Sequence, residues 1–314
     1  MIPVGAEDAQ EIEAALAGLG GRAPVTAADA PLPRLGPVLR QAAARLDNGH
    51  GFVLLRGLPL VEDQAEALLL ALGAHLGRTV PQGPGGEAVL RVASPAAGVA
   101  RWRFHADAAD IVALLTLRQP PEADPAMLIA AAAVHNEMMK RHRPALETLY
   151  GPLPHLLRQG PQAVPRVVDL PVFSTASGAF IGRYARDAIE AAQRLAETPR
   201  LTAAQVEALD LLDAICAEPG LALRLDVRPG DVLLFNPLQV WKRRADRPAE
   251  GSRADRPAEE GPAETEGTEP DATAREALRL LLVTPTSRAL PHGLVALGDG
   301  PAPGGGAPGG MVGG

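Results

Sequence analysis

Phe104-His105-Ala106-Asp107 is the segment of this sequence whose residue types and spacing are best suited to chemistry. In extended backbone, residues two apart point to the same face, so the His105 imidazole and the Asp107 carboxylate can converge on one cation. A histidine and a carboxylate make up two thirds of the two-His-one-carboxylate triad. That triad holds non-haem iron(II) on one face and leaves the other positions open. On spacing alone, a surface His–Asp pair in a loop is the commoner outcome, so wider context has to decide. The other histidines offer less. His135 and His142 are seven apart, which on an unbroken helix separates them by about 10 Å, too far to grip one ion. His142 also stands among Lys140, Arg141 and Arg143. His50, His75 and His155 have no ligand-like neighbours, and His292 follows the last expected strand. The single cysteine, Cys216, excludes an internal disulfide framework and any multi-cysteine zinc site. Within LDLLDAICAEP it reads as a buried structural thiol on an amphipathic helix.

The elements that must position these residues follow from hydrophobic period and turn signals. Glu7–Leu19, Gly36–Leu46 and Gln64–Leu76 carry apolar residues at helical spacing. Gly51–Leu60 (GFVLLRGLPL) is a short apolar run closed by Gly and Pro, a buried strand. Residues 81–98, rich in Gly, Pro and Ala, read as a loop. Ile111–Leu117 and Met127–Val134 read as strands, although Ala130–Ala133 also permits a helix. Val134–Tyr150 reads as a helix broken or kinked at Pro144. Pro171–Phe173 and Ala179–Tyr184 suggest a hairpin about Ser177-Gly178, and Thr202–Ala217 a helix. Ala222–Val227 and Val232–Phe235 are strands joined by the Arg228–Asp231 turn, Arg-Pro-Gly-Asp. Leu278–Pro285 is the last strand. Short strands among loops, helices early and mid-chain, and no Gly-rich loop after a strand favour a β-sandwich or jelly roll with added helices over a Rossmann sheet.

The chain has 314 residues, 46% of them apolar and 21% charged, which suits a globular protein with a sizeable core. The net charge of −7 offers no basic surface for nucleic acid or an anionic membrane. No apolar run reaches the roughly 20 residues of a membrane span, and the N-terminus lacks a secretory pattern, so a cytoplasmic protein is expected. RADRPAE occurs twice, at Arg244–Glu250 and Arg253–Glu259, and no apolar residue larger than Ala or Pro occurs from Ala245 to Ala274. The expected organisation is one domain over residues 1–244 and 275–297. A disordered acidic insertion at 245–274 interrupts it, and a disordered Gly-rich tail at 298–314 follows.

Six collinear segments resemble the taurine dioxygenase-like (TauD/TfdA) family of iron(II)/2-oxoglutarate oxygenases. They are GFVLLRGLP at Gly51–Pro59, FHADAADIVALLTLR at Phe104–Arg118 and AAAVHNEM at Ala131–Met138. PVFS…GRY at Pro171–Tyr184, LRLDVRPGDVLLFN at Leu223–Asn236 and REALRLLL at Arg275–Leu282 follow in the same order. The resemblance implies a double-stranded β-helix core, with iron(II) and 2-oxoglutarate as cofactors. It makes His105 and Asp107 the first two metal ligands and Arg275 the guanidinium that receives the distal carboxylate of 2-oxoglutarate. Arg279, four residues on, takes the position often used for an anionic group of the substrate. The implied activity is hydroxylation or desaturation of a small, anionic molecule.

Three departures cluster at this site. The family's pattern is close to N-N-x-x-x-x-H-x-R, and here the run Asn236–Arg244 places Lys242 where the second histidine belongs. A lysine must lose its proton to coordinate, which from an ordinary pKa of roughly 10.4 costs about 4–5 kcal/mol at pH 7. The Gly-Gly-acid-Ser/Thr turn that helps hold 2-oxoglutarate is replaced by Ala123-Asp124-Pro125-Ala126. The connection from Lys242 to Arg275 is lengthened by the insertion. Two expectations follow. One is a divergent oxygenase with an incomplete metal triad. The other is a relative that has left iron chemistry and uses the barrel as a binding module, or uses Lys242 beside Arg243 and Arg244 as cation, base or imine former. Both require Lys242 and Arg275 to project into the cavity that holds His105 and Asp107.

Overall fold

The computed structural model describes residues 1–23, 26–82, 86–94, 101–121, 123, 125–157, 166–176, 178–246 and 275–284. Two sheets build the core. The larger contains β1 (Ile2–Pro3), β2 (Phe52–Arg56), β3 (Arg78–Thr79), β4 (Val89–Ser94), β6 (Ile111–Arg118), β13 (Val232–Phe235) and β15 (Arg275–Val283). Its order is β1-β2-β13-β6-β15-β3, with β4 also pairing β15. The smaller has the order β12-β7-β14-β5, from β5 (Arg101–His105), β7 (Ala126–Ala130), β12 (Leu223–Leu225) and β14 (Val240–Asp246). Two hairpins complete the strands, β8 (Leu153–Leu157) with β9 (Arg166–Leu170) and β10 (Phe173–Ala176) with β11 (Ala179–Gly182).

Alternation along the strands divides the core into layers. In β13, Val232 and Leu234 face one apolar cluster while Leu233 and Phe235 face another. In β15, Leu278, Leu280 and Leu282 join the first cluster and Leu281 the second. Such strands are apolar on both faces because both are covered. The first cluster is filled by helices α1 (Ala6–Leu19), α2 (Leu35–Asn48) and α3 (Ala65–Ala74), which close the outer face of the large sheet. The second, with Leu128 and Val240 of the small sheet, lies between the two sheets and is the barrel interior. A third cluster, holding Ile129 and Trp241, covers the outer face of the small sheet with α4 (Ala131–Arg141), α5 (Arg143–Tyr150), α6 (Arg186–Ala192) and α7 (Ala203–Cys216). This is a jelly-roll, double-stranded β-helix architecture with helices on both outer faces.

Several expectations need correction. The stretch at 81–98 contains β4, which pairs with β15, and Val89 is buried against the α1–α3 layer. Its glycine- and proline-rich surroundings and its lack of strict alternation left it without a strand signal. The strand expected over Met127–Val134 ends at Ala130, and the helix begins at Ala131. The expected helix to Tyr150 is two helices broken at His142 (φ −156°, ψ 79°), whose Nδ1 accepts from the Ala145 N–H at 3.0 Å. Pro144 then sits in the first turn of α5, where a missing N–H costs nothing. The β8–β9 hairpin and α6 carried no clear periodic signal. Strand β14 continues through Asp246, so the ordered chain runs past residue 244. Residues 247–274 of the expected 245–274 insertion and the tail lie outside the described residues, as do His292 and Asp124. Among the described residues, no helix is long and apolar enough to cross a membrane.

Candidate active site

The site is set by strand register. In the β14–β5 ladder Lys242 pairs with His105, and in the β14–β7 ladder Lys242 pairs with Leu128. Paired residues share a face, and Leu128 belongs to the interior cluster, so Lys242 and His105 point into the barrel. Trp241 and Arg243 alternate to the outer face, where Trp241 is fully buried and its Nε1 donates to the Gly182 carbonyl at 3.0 Å. Gly182 has to be glycine: a Cβ there would lie 2.4 Å from Ala131 Cβ and 3.2 Å from the Trp241 ring. The turn before β14 is tied by Asn236, whose Oδ1 accepts from the Leu238 N–H at 2.9 Å and whose Nδ2 donates to Asp47 at 3.1 Å. On the large sheet Arg279 pairs with Leu114, a residue packed against the interior cluster, so it enters the barrel from the opposite wall.

Asp107 follows β5 in a segment pinned at both ends. The Ala106 N–H donates to Tyr184 O at 2.7 Å, the Asp110 N–H to Leu282 O at 2.9 Å, and the Thr284 N–H to Asp110 Oδ2 at 2.8 Å. The Asp107 carboxylate gathers three side chains. Lys242 Nζ lies 3.0 Å from Oδ2, Arg279 Nη1 lies 3.5 Å from Oδ1, and His105 Nε2 lies 3.9 Å from Oδ1. Its side chain is 9% exposed, and those of Lys242 and Arg279 are 15% and 17%. Burial works against ionisation, but the charges of Lys242, His105 and Arg279 outweigh it and hold the carboxyl far below the usual range. Asp107 is therefore a carboxylate, already neutralised by an ammonium.

The structure thus brings His105, Asp107, Lys242 and Arg279 together. Arg275 is half-buried at the first position of β15. Four strand residues, about 13 Å, separate it along the strand from Arg279, and Arg279 is the arginine that meets Asp107. Arg243, expected to act on Lys242, points to the other face, and Asp107 is the charge beside the lysine. His135 bonds Tyr150 Oη at 2.9 Å and His142 caps α5, so the pair does not form a metal site. Cys216 is buried, and burial pushes its thiol up, in keeping with a structural role.

Two features carried no usable sequence signal. Gln82, in the stretch read as loop, is 4% exposed. Its Oε1 accepts from Arg279 Nε at 2.8 Å, and its Nε2 donates to the carbonyls of Ala88 (2.9 Å) and Arg279 (3.0 Å). It fixes the guanidinium in position. Arg183 and His155 are the other surprise, being 3% and 0% exposed. Burial lowers Arg183 to about 10, and burial together with Arg183 lowers His155 to about 3. His155 is therefore neutral, with Nδ1–H donating to Leu153 O at 2.8 Å.

The sequence profile of the taurine catabolism dioxygenase TauD, TfdA family, a family of non-haem iron, 2-oxoglutarate-dependent dioxygenases, matches residues 16–254. A relative, FR-33289 synthase of Streptomyces rubellomurinus, is 26% identical over 228 residues. That alignment spans 66% of this chain and 66% of the relative, just under two thirds of its length. Among solved structures, asparagine oxygenase in complex with Fe(II), 2S,3S-3-hydroxyasparagine and succinate superposes with a TM-score of 0.61 at 19% identity, covering 90% of this chain and 93% of that one. The non-haem iron oxygenase OrfP in complex with Fe and alpha-ketoglutaric acid does so with a TM-score of 0.58 at 15% identity, covering 90% and 94%. At these identities the superpositions speak for the shared fold.

The donors present do not fit a resident iron(II) as they stand. Among the described residues, no three His, Cys, Asp or Glu side chains come together as a metal site requires. His105 and Asp107 supply two donors. Opposite His105 stands the Lys242 ammonium, which carries no lone pair and already engages the carboxylate that a metal would need.

Proposed function

Since the chain belongs to the taurine catabolism dioxygenase (TauD/TfdA) family, we propose that it is a divergent iron(II)/2-oxoglutarate-type oxygenase with an incomplete metal triad, directed at hydroxylation or desaturation of a small, anionic, amino-acid-like molecule. The observation that carries this reading is the His105–Asp107–Lys242–Arg279 cluster inside the barrel. Iron with 2-oxoglutarate supplies the oxidising chemistry in this family. In this chain the residues bind and orient. Arg279, held by Gln82, offers a planar donor edge suited to the carboxylate of a substrate. Arg275, further along the same strand, is the candidate for the distal carboxylate of 2-oxoglutarate. His105 and Asp107 are the candidate metal ligands, and iron gains them only when the Lys242 ammonium leaves Asp107. The amino-acid class follows the hydroxyasparagine and hydroxyarginine named with asparagine oxygenase and OrfP. A second reading, a barrel that has left iron chemistry and binds its ligand through Lys242, is favoured by the 3.0 Å ion pair.

The test is an anaerobic iron(II) titration of the metal-free protein with and without 2-oxoglutarate, followed by oxygen and measurement of succinate. Weak iron binding with slow succinate release is expected. Tight iron binding by the unaltered chain contradicts the incomplete triad, and the absence of any succinate at saturating iron favours the second reading.

A further inference from the structure

We infer that Arg183 and His155 form a second buried ligand site, separate from the Asp107 cluster, for a small monocarboxylate that carries a proton donor on the neighbouring carbon, as a 2-hydroxy or 2-amino acid does. The inference goes beyond the proposed function and needs neither iron nor Lys242.

Strand pairing delivers both side chains to one apolar cluster. The Arg183 N–H donates to the Val172 carbonyl at 2.7 Å, which carries the β10–β11 pairing one step past Phe173 and Gly182. Arg183 therefore faces the same way as Ile181, while Gly182 and Tyr184 turn toward the Trp241 cluster. Ile181 packs with Leu157 and Leu170. On β8, His155 shares a face with Leu157, and its partner across the hairpin, Val168, packs against the same cluster. Ala108 packs there too, one residue from Asp107, and the Ala106 N–H is bonded to the carbonyl of Tyr184, the residue after Arg183. The site thus adjoins the segment that carries the candidate metal ligands without sharing a side chain with it.

Among the described residues, nothing answers the charge enclosed here. Arg183 is 3% exposed, its Nε and Nη1 are buried without a hydrogen-bond partner, and so is His155 Nε2. No carboxylate of the described residues pairs with Arg183, and Asp169 of β9 alternates to the face opposite Val168. Burial lowers the guanidinium only to about 10, so it stays charged at neutral pH. Water could accept its N–H groups but could not balance its charge, and a buried charge without a counter-charge is costly. A bound anion does both. His155 is neutral and donates through Nδ1 to Leu153 O at 2.8 Å, so Nε2 presents a lone pair. One cation beside one neutral acceptor matches one negative charge beside one proton donor. A planar carboxylate suits the guanidinium, and a hydroxyl or ammonium on the next carbon suits Nε2. A divalent oxyanion would bring one negative charge too many into the cluster.

The experiment is isothermal titration of the full chain in EDTA with glycolate, glycine, acetate and sulfate, alongside thermal melts. We expect one-to-one binding of glycolate or glycine, at least about fivefold tighter than acetate and at least about tenfold tighter than sulfate. Arg183→Met should weaken that binding at least about tenfold. His155→Phe should bring glycolate and glycine to within about twofold of acetate, because the acceptor for the second group is gone. Without ligand, Arg183→Met should melt no lower than the unaltered chain, since it removes a charge that nothing balances, and it should lose the rise in melting temperature that the ligand gives the parent. A melt several degrees lower without ligand would mean that the protein itself balances Arg183, and overturns the inference. Binding of glycolate and glycine that survives in Arg183→Met, or that sulfate matches, or absence of binding by all four probes, overturns it as well. None of these results bears on iron binding at His105 and Asp107, which the EDTA leaves out of the test.

Discussion

At the scale of single residues, the site turns on which chemical type stands opposite His105. An imidazole opposite His105 would offer a lone pair at neutral pH, whereas Lys242 offers three N–H donors and a positive charge. The consequence for stability can be measured. Removing Lys242 takes the nearer cation from a buried carboxylate and leaves it to Arg279 and His105, so Lys242→Met should cost up to about 3 kcal/mol in chemical denaturation. Asp107→Asn in the same background should recover part of that loss, because the under-compensated carboxylate is gone. If the double variant is as unstable as the single one, the pair is not coupled as described. A second residue-scale prediction concerns pH. Burial depresses His155 to about 3, below an unfolded value of roughly 6.5. Its contribution is therefore present above about pH 6.5 and is lost as pH falls through the window toward 3, because the unfolded chain takes up the proton first. Unfolding free energy should drop by about 1–3 kcal/mol between pH 6.5 and 4.5. His155→Gln should flatten that slope. Asp107, also depressed, contributes stability that is present above the ordinary carboxylate range and is lost as pH falls below it, so the two losses separate along the pH axis.

At the scale of elements, the site is a consequence of pairing. The alternation Val240, Trp241, Lys242 sends the first and third residues into the barrel and the second into the helical layer. A slip of one residue would bury Trp241 in the site and turn Lys242 outward. Gly182 guards that register by letting β11 approach the Trp241 ring. Gly182→Ala should destabilise the fold by about 1–3 kcal/mol and alter the near-ultraviolet circular dichroism of Trp241. An unchanged spectrum and melt would show that the contact is not limiting. The same elements show what was legible in the sequence. His105 and Asp107 could be read locally, because their two-residue spacing carries its own geometry. Lys242 and Arg279 could be placed only through resemblance, because nothing local to them says that the two face each other across a barrel. Gln82 and β4 were lost among glycines and prolines, whose turn signals outweighed a short apolar run without strict alternation. Arg183 stood out in neither period nor charge, since a lone arginine ending an apolar strand is usually a solvated edge residue. It lies near His155 of β8, a neighbour distant in sequence, so its burial is a tertiary fact.

At the scale of the whole molecule, two sheets enclose the site and helices cover each sheet from outside, so the two outer apolar layers that stabilise the fold are remote from the chemistry. The segment joining β14 to β15 carries no apolar residue larger than Ala or Pro from 247 to 274. Deleting Gly251–Thr273 should leave the melting temperature within about 2 °C, since there is little apolar surface in it to lose. A drop of several degrees would mean that it packs on the barrel. The central claim is that Lys242 stands where a metal ligand belongs within an otherwise family-like site. It is tested most directly by anaerobic iron(II) titration of Lys242→His beside the unaltered protein. The substitution should raise iron affinity by at least about tenfold, because imidazole coordinates at neutral pH without a costly deprotonation. A substituted protein that binds iron no better than its parent would contradict the account.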